Sequence, residues 1–266
     1  MMAPEEITSR FEREGYAAPL AAIGARDAGK LLAELEEIEG RKGGRIPPAF
    51  NAKPHLLLPS LWFVVHDVRI VDAVEAVLGP DLLCYGSSFI SKPAGGAAHV
   101  SWHQDATHWG LSEPRAVTAW IALTPSDREN GCVRVVPGTH TRPIDHDHPV
   151  DPANLLGRKE RVLREVAEEE AVDLVLAPGE MSLHHPLLVH GSAPNRSGRR
   201  RVGFAVRYIA AQTTLTGGRR GSATHIRGAA GIGFDLEQAP ESAMGRPAMM
   251  RHAAILRSGM AVIYGD

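Results

Sequence analysis

Of the thirteen histidines in this 266-residue chain, only His103 stands two positions before an acid, in Ser101-Trp102-His103-Gln104-Asp105. On an extended strand, residues i and i+2 project to one side, so an imidazole and a carboxylate at this spacing can reach a common point. With one distant histidine they make a two-histidine, one-carboxylate metal set with open coordination positions. Such a set suits iron(II), a bidentate cosubstrate and dioxygen. The third ligand has three candidates in His184-His185-Pro186-Leu187-Leu188-Val189-His190-Gly191-Ser192. His184 and His185 read as a strand-end pair, one facing in and one out. His190 is set apart by its downstream neighbours: Gly191, a turn at Asn195, Ser197 and Gly198, then Arg199-Arg200-Arg201 entering a strand. An arginine there can hold a carboxylate in a bidentate pair, while two of the three read as a solvated basic turn.

Groups so placed need a β scaffold, and the pattern from Leu82 onward supplies one. Short β-rich runs occur near Leu82–Lys92, Val100–His103, Val117–Leu123, Cys132–Val136, Val172–Ala177, Met181–His185 and Val202–Ile209. Turn residues separate them: Pro93-Ala94-Gly95-Gly96, Asn130-Gly131, Pro137-Gly138 and Pro178-Gly179. The first eighty residues read as helical instead. One helix covers Pro4 to Tyr16. A second is capped by Asp27 and carries an apolar stripe of Leu31, Leu32, Leu35 and Ile38. A third begins after Asp67 and stops at Gly79-Pro80. The expected fold is mainly β with helical flanks, a sandwich or barrel in one domain. Its parts are a helical region 1–80, a core at about 82–210 and an extension at 211–266 with no clear period. The polar stretch Asp145 to Glu170 interrupts the strands and reads as a loop or lid over the pocket, with a little helix.

Composition excludes several classes. The net charge of −2 offers no field for nucleic acid or an anionic membrane. Two distant cysteines, Cys84 and Cys132, are too few for a disulfide framework or a thiolate metal site. Met1 to Glu6 is acidic and lacks the basic and apolar parts of a secretory leader, and no apolar run approaches membrane-spanning length. A cytoplasmic protein acting on a small molecule is the expectation.

The segment Trp102-His103-Gln104-Asp105-Ala106-Thr107-His108-Trp109-Gly110-Leu111 resembles the metal strand of the phytanoyl-CoA dioxygenase family. Ala119-Trp120-Ile121-Ala122-Leu123, Asn130-Gly131-Cys132, Val136-Pro137-Gly138-Thr139-His140 and His190-Gly191-Ser192 through Asn195 to Arg201 match further blocks in order. The resemblance implies a double-stranded β-helix (jelly-roll, cupin-like) core that uses iron(II), 2-oxoglutarate and O2. It implies iron ligation by His103, Asp105 and His190. Arg201, eleven positions after His190, becomes the partner of the 2-oxoglutarate carboxylate, with Ser192 a hydroxyl donor beside it. Trp120 matches a tryptophan lining the cosubstrate pocket, and Lys53 an N-terminal lysine that reaches 2-oxoglutarate. Hydroxylation of an unactivated C–H bond, with succinate and CO2 formed, is the reaction implied. Desaturation, cyclisation and a non-catalytic metal-binding cupin-like protein are the alternatives. Halogenation is disfavoured, because a chlorinating subgroup has a small residue where this chain has Asp105.

Two further sites come from position alone. His108 and Trp109 lie just past the metal strand and are expected to contact substrate, although Trp109 fits equally well as a plug of the barrel end. Asp145-His146-Asp147-His148 reads as a solvated loop rather than a metal site, with His146 or His148 able to touch substrate if the loop is a lid.

Overall fold

Apolar residues at helical spacing build the N-terminal layer of this computed structural model, which describes residues 2–258. The last part of the expected extension, 259–266, lies outside the described residues. Helix α1 (Pro4–Glu14) ends at Gly15 in the left-handed conformation, and β1 (Tyr16–Ala21) comes at once, so the helix expected to reach Tyr16 stops short. Helix α2 (Ala25–Arg41) begins before Asp27, which pairs with Lys30 at 2.7 Å instead of capping. The short α3 (Pro48–Asn51) and α4 (Pro59–Val65) were not anticipated. Helix α5 (Val68–Leu78) has the expected cap, Asp67 accepting from the Arg69 amide. Leu31, Leu35, Leu61, Ile70 and Val74 bury one apolar face of this layer. Each such side chain contributes about 1.5–3 kcal/mol on leaving water.

The regular elements of the rest of the chain are mostly strands: β2 (Leu82–Lys92), β3 (Val100–His103), a turn of helix α6 (Ala106–Trp109), β4 (Ala116–Ala122), β5 (Val133–Val135), β6 (His146–Asp147), β7 (Arg161–Val162), β8 (Val172–Leu174), β9 (Glu180–His184), β10 (His190–Ser192), β11 (Arg201–Ala210), β12 (Gly221–Arg227) and β13 (Phe234–Leu236), before α7 (Arg246–Arg257). A seven-stranded sheet has the order β1-β9-β4-β11-β2-β12-β13, and a four-stranded sheet the order β3-β10-β5-β8. Pairing is antiparallel except between β12 and β13, so the larger sheet is mixed.

Strand alternation then sorts the side chains. In β11, Val202, Phe204 and Val206 pack toward the helices. Ala205 faces the other way and meets Trp120 and Ala122 of the same sheet, with Val133, Val135 and Leu174 of the smaller one. The space between the two sheets is therefore lined by residues of both. All seven expected strands are present, β2 and β3 with the expected bounds and the other five with shifted ends. The stretch from Asp145 to Glu170 forms a strap rather than an open loop. It pairs β6 with β7, makes a bridge from His99 to Asn154, and receives the Ser101 hydroxyl on the Glu160 carbonyl. No described helix is long and apolar enough to cross a membrane.

Candidate functional site

His190 and His103 are direct partners across the antiparallel β10–β3 pair, which puts both imidazoles on one face with ring centroids 4.1 Å apart. Asp105 joins them differently from the way its spacing suggested. Strand β3 stops at His103, and Asp105 has helical backbone angles at the start of α6. The intervening Gln104 is buried and locks this turn. Its side-chain oxygen accepts from the Ile144 amide at 2.7 Å, its side-chain amide donates to the Arg142 carbonyl at 3.0 Å, and its backbone N–H donates to His146 Nε2 at 3.0 Å. The turn brings Asp105 Oδ1 to 3.4 Å from His103 Nε2 and 4.0 Å from His190 Nε2.

The ring orientations are set by the backbone. His103 Nδ1 faces the carbonyls of Ser101 and His190 at 3.0 and 3.1 Å, and His190 Nδ1 faces that of Leu188 at 2.9 Å. Carbonyls only accept, so each Nδ1 carries a proton and Nε2 is the nitrogen turned toward Asp105. The Thr118 hydroxyl donates to Asp105 Oδ2 at 3.2 Å. Burial disfavours a charge on Asp105, but the His103 and His190 imidazoles outweigh it and hold the carboxyl well below the usual range. Burial likewise holds His190 well below its ordinary value, leaving a neutral ring. One ligand-type atom from each of the three residues lies within 4.8 Å of the others, the arrangement that a single metal ion needs.

Arg201 opens β11 opposite Lys92, the last residue of β2, and both side chains are fully buried. The Arg201 guanidinium lies 5.1 Å from the Trp120 ring centroid and donates to the Gly131 carbonyl at 2.6 Å. Its Nε and the Trp120 Nε1 are buried donors with no acceptor among the described residues. Burial lowers Arg201 to about 10 and Lys92 to about 7, the latter pushed down further by Arg201. No carboxylate forms an ion pair with either among the described residues, so the pocket holds positive charge and unused N–H groups. An anion with carboxylate geometry fits both needs. Lys92 also donates to Ser192 Oγ at 2.6 Å. An ammonium only donates, so the Ser192 hydroxyl accepts there and its own proton is free to point elsewhere. Two glycines make room for this pocket. A Cβ on Gly203 would lie 2.0 Å from Trp120 Cζ2, and one on Gly131 2.2 Å from the Ala193 carbonyl oxygen.

The remaining expected residues divide. Lys53 is buried, but its ammonium is held by Glu237 and donates to the Ser222 carbonyl at 2.8 Å. The lysine beside Arg201 is Lys92, at the end of a strand whose apolar run disguised it. Trp109 is buried among Leu83, Tyr85 and Phe234 and accepts the Tyr85 hydroxyl on its carbonyl, the surroundings of the plug that was the other expectation for it. His108 lies in α6, half-buried, with its ring 5.6 Å from His148 and 6.4 Å from His146. The pair His184-His185 splits as its strand position required. The His184 ring is 4.7 Å from His190, while His185 packs near Phe11 and His140. Burial lowers His184 to about 4, so a neutral imidazole flanks the triad. Of the three arginines, Arg199 pairs with Asp127 at 2.9 Å, and Arg200 makes a two-pronged pair with Glu39 at 2.7 Å. Only Arg201 turns into the space between the sheets.

Two sheets enclosing convergent imidazole and carboxylate groups, with a cationic pocket alongside, define a β fold built to hold a metal ion and an organic anion together. The chain belongs to the phytanoyl-CoA dioxygenase (PhyH) family, whose model matches residues 11–203. It is 34% identical over 135 residues to the peroxisomal phytanoyl-CoA dioxygenase of Rattus norvegicus, covering 48% of this chain and 40% of that one. The chain thus spans about two fifths of that relative's length. It is 26% identical over 217 residues to the probable alpha-ketoglutarate-dependent hypophosphite dioxygenase of Stutzerimonas stutzeri, covering 74% and 76% of the two chains. Among solved structures, the non-heme monooxygenase ThoJ in its apo form superimposes with a TM-score of 0.84 at 30% identity over 95% of each chain.

Proposed function

We propose that this protein is an iron(II)- and 2-oxoglutarate-dependent dioxygenase, with His103, Asp105 and His190 as the iron ligands. The observation that carries this reading is the pairing of two features in one cavity. Three ligand-type groups converge within 4.8 Å, and the buried Arg201 and Trp120 offer N–H groups that lack an acceptor. Iron(II) held there, with 2-oxoglutarate and O2, supplies the oxidising chemistry that hydroxylates an unactivated C–H bond and releases succinate and CO2.

The chain's own residues bind, orient and exclude water. Arg201 takes the remote carboxylate of 2-oxoglutarate, with Trp120 lining its path and Ser192, oriented by Lys92, donating its hydroxyl proton. The carbonyls behind His103 and His190 fix both rings, and Thr118 fixes one Asp105 oxygen. The two apposed sheets support the reading of the core as a double-stranded β-helix (jelly roll), with the helical N-terminal part and the chain after 210 completing a single domain. The substrate is a small molecule that enters on the strap side of the triad turn, beside α6 and His108.

The test is substrate-stimulated conversion of 2-oxoglutarate to succinate by the purified chain with iron(II), screened over candidate small molecules. Product masses then separate hydroxylation from desaturation or cyclisation. Iron-dependent succinate formation supports the reading. Stoichiometric iron binding without any 2-oxoglutarate binding would overturn it in favour of a non-catalytic metal-binding protein.

A further inference from the structure

A second cluster of metal-ligating groups lies at the strap, outside the triad. His108 from α6, His148 just after β6 and Glu160 just before β7 bring one ligand-type atom each to within 4.8 Å of the others. Two of the three, Glu160 and His108, are not in the state of a hydrogen-bonded surface group. Glu160 is only 8% exposed, and its Oε2 is buried with no hydrogen-bond partner. The Nε2 of His108 is also buried and also without a partner. His148 Nδ1 faces the Arg158 carbonyl at 3.0 Å, so the proton sits on Nδ1 and the Nε2 lone pair is free. Among the described residues, no lysine, arginine or histidine forms an ion pair with Glu160. A buried, unpaired carboxylate costs several kcal/mol, and a cation supplied from outside is the direct remedy.

His146 shows the contrast. Although it sits two residues from His148, its Nε2 accepts from the Gln104 amide and its Nδ1 faces the Ile144 carbonyl at 2.8 Å, so neither nitrogen is available. The available donors thus come from three separate segments, and the surrounding structure holds those segments in place. The Arg161 guanidinium grips both oxygens of Asp147 at 3.1 and 2.6 Å, and the Asn154 amide holds the Ser101 hydroxyl at 2.9 Å while that hydroxyl donates to the Glu160 carbonyl. We propose that His108, His148 and Glu160 form a second divalent-cation site, of the kind that takes zinc, which ties the strap to the turn carrying Asp105. Two imidazoles and one carboxylate are a common zinc donor set, and they leave a coordination position for water. This inference rests on the geometry of the cluster and not on the oxygenase reading.

The experiment counts metal on the untagged full chain, stripped with a chelator and then titrated with Zn2+ by calorimetry, with elemental analysis after dialysis. Wild type should take up two equivalents. His148→Ala changes an exposed side chain, so folding is not at stake. It and Glu160→Gln should each retain one equivalent and weaken the second at least ~100-fold. His103→Ala should retain the strap equivalent, and His103→Ala with His148→Ala should retain neither. A single equivalent that His148→Ala and Glu160→Gln both leave as tight as in wild type, or two tight equivalents in both variants, would overturn the proposal. In that case Glu160 is left to pair with a protonated imidazole or a cationic group on the substrate.

Discussion

Replacing Arg201 by alanine is the sharpest test of the cosubstrate pocket, because the structure separates it from its two neighbours. Arg199 and Arg200 already have acidic partners, whereas Arg201 is 1% exposed and, among the described residues, donates to the Gly131 carbonyl and stacks on Trp120 without an acidic partner. Truncating one partner of a buried charge-assisted pair costs about 2–5 kcal/mol. At 1.4 kcal/mol per tenfold, that is a loss of roughly 30-fold to a few thousand-fold in 2-oxoglutarate affinity. Lys92 remains in the pocket, and without Arg201 beside it one cause of its lowered pKa disappears. The remaining ammonium still attracts an anion, so the loss should fall near the lower end, about 30- to 100-fold. The assay is calorimetric titration of 2-oxoglutarate into the iron-loaded protein without oxygen, alongside the KM for succinate formation. Iron(II) affinity should change less than about twofold, since Arg201 touches none of the three ligand-type residues. Arg199→Ala should bind 2-oxoglutarate as wild type does. If Arg201→Ala binds within threefold of wild type, or Arg199→Ala reproduces the defect, the assignment of this pocket is wrong.

Three further outcomes are expected. His103→Ala and Asp105→Ala should each lose iron(II) in metal analysis and lower succinate formation by more than ~100-fold, beyond what removing an outer partner of a ligand costs. Gly203→Ala places a methyl 2.0 Å from a Trp120 ring atom, so the ring must move. We expect a destabilisation of about 1–3 kcal/mol in urea unfolding, together with weaker 2-oxoglutarate binding, and unchanged binding would show that Trp120 does not line that pocket. Finally, burial opposes the charge on Glu237, but Lys53 and His55 outweigh it and hold its carboxyl at about 2, against an ordinary value of 4.5. A depressed folded value means that this stabilisation is present above about pH 4.5 and is lost as pH falls toward 2, where the unfolded chain binds the extra proton first. Glu237→Gln should remove up to one proton from the acid limb, a slope of about 1.4 kcal/mol per pH unit. An unchanged slope between pH 4.5 and 2 would count against this buried pair.

Local and periodic features are the ones legible from residue order alone. The seven β-rich runs, the α5 cap at Asp67 and the apolar stripe of α2 depend on neighbours within a few residues, so alternation and spacing reveal them. The chemistry-bearing residues His103, Asp105, His190 and Arg201 were legible because their types and intervals are unusual in an otherwise ordinary composition. Strand β10 was not, since His190-Gly191-Ser192 holds no β-branched or aromatic residue, and its pairing with β3 and β5 is what defines it. Tertiary structure also decided how Asp105 reaches its partners, since the strand ends at His103 and buried Gln104 turns the chain. It chose Lys92 over Lys53 as the cation beside Arg201, because cross-strand register, invisible in one strand's sequence, sets which side chains meet. The strap cluster is the extreme case. His108, His148 and Glu160 come from segments up to 52 positions apart, and only the pairing of β6 with β7 and the strap's bonds to β3 bring them together.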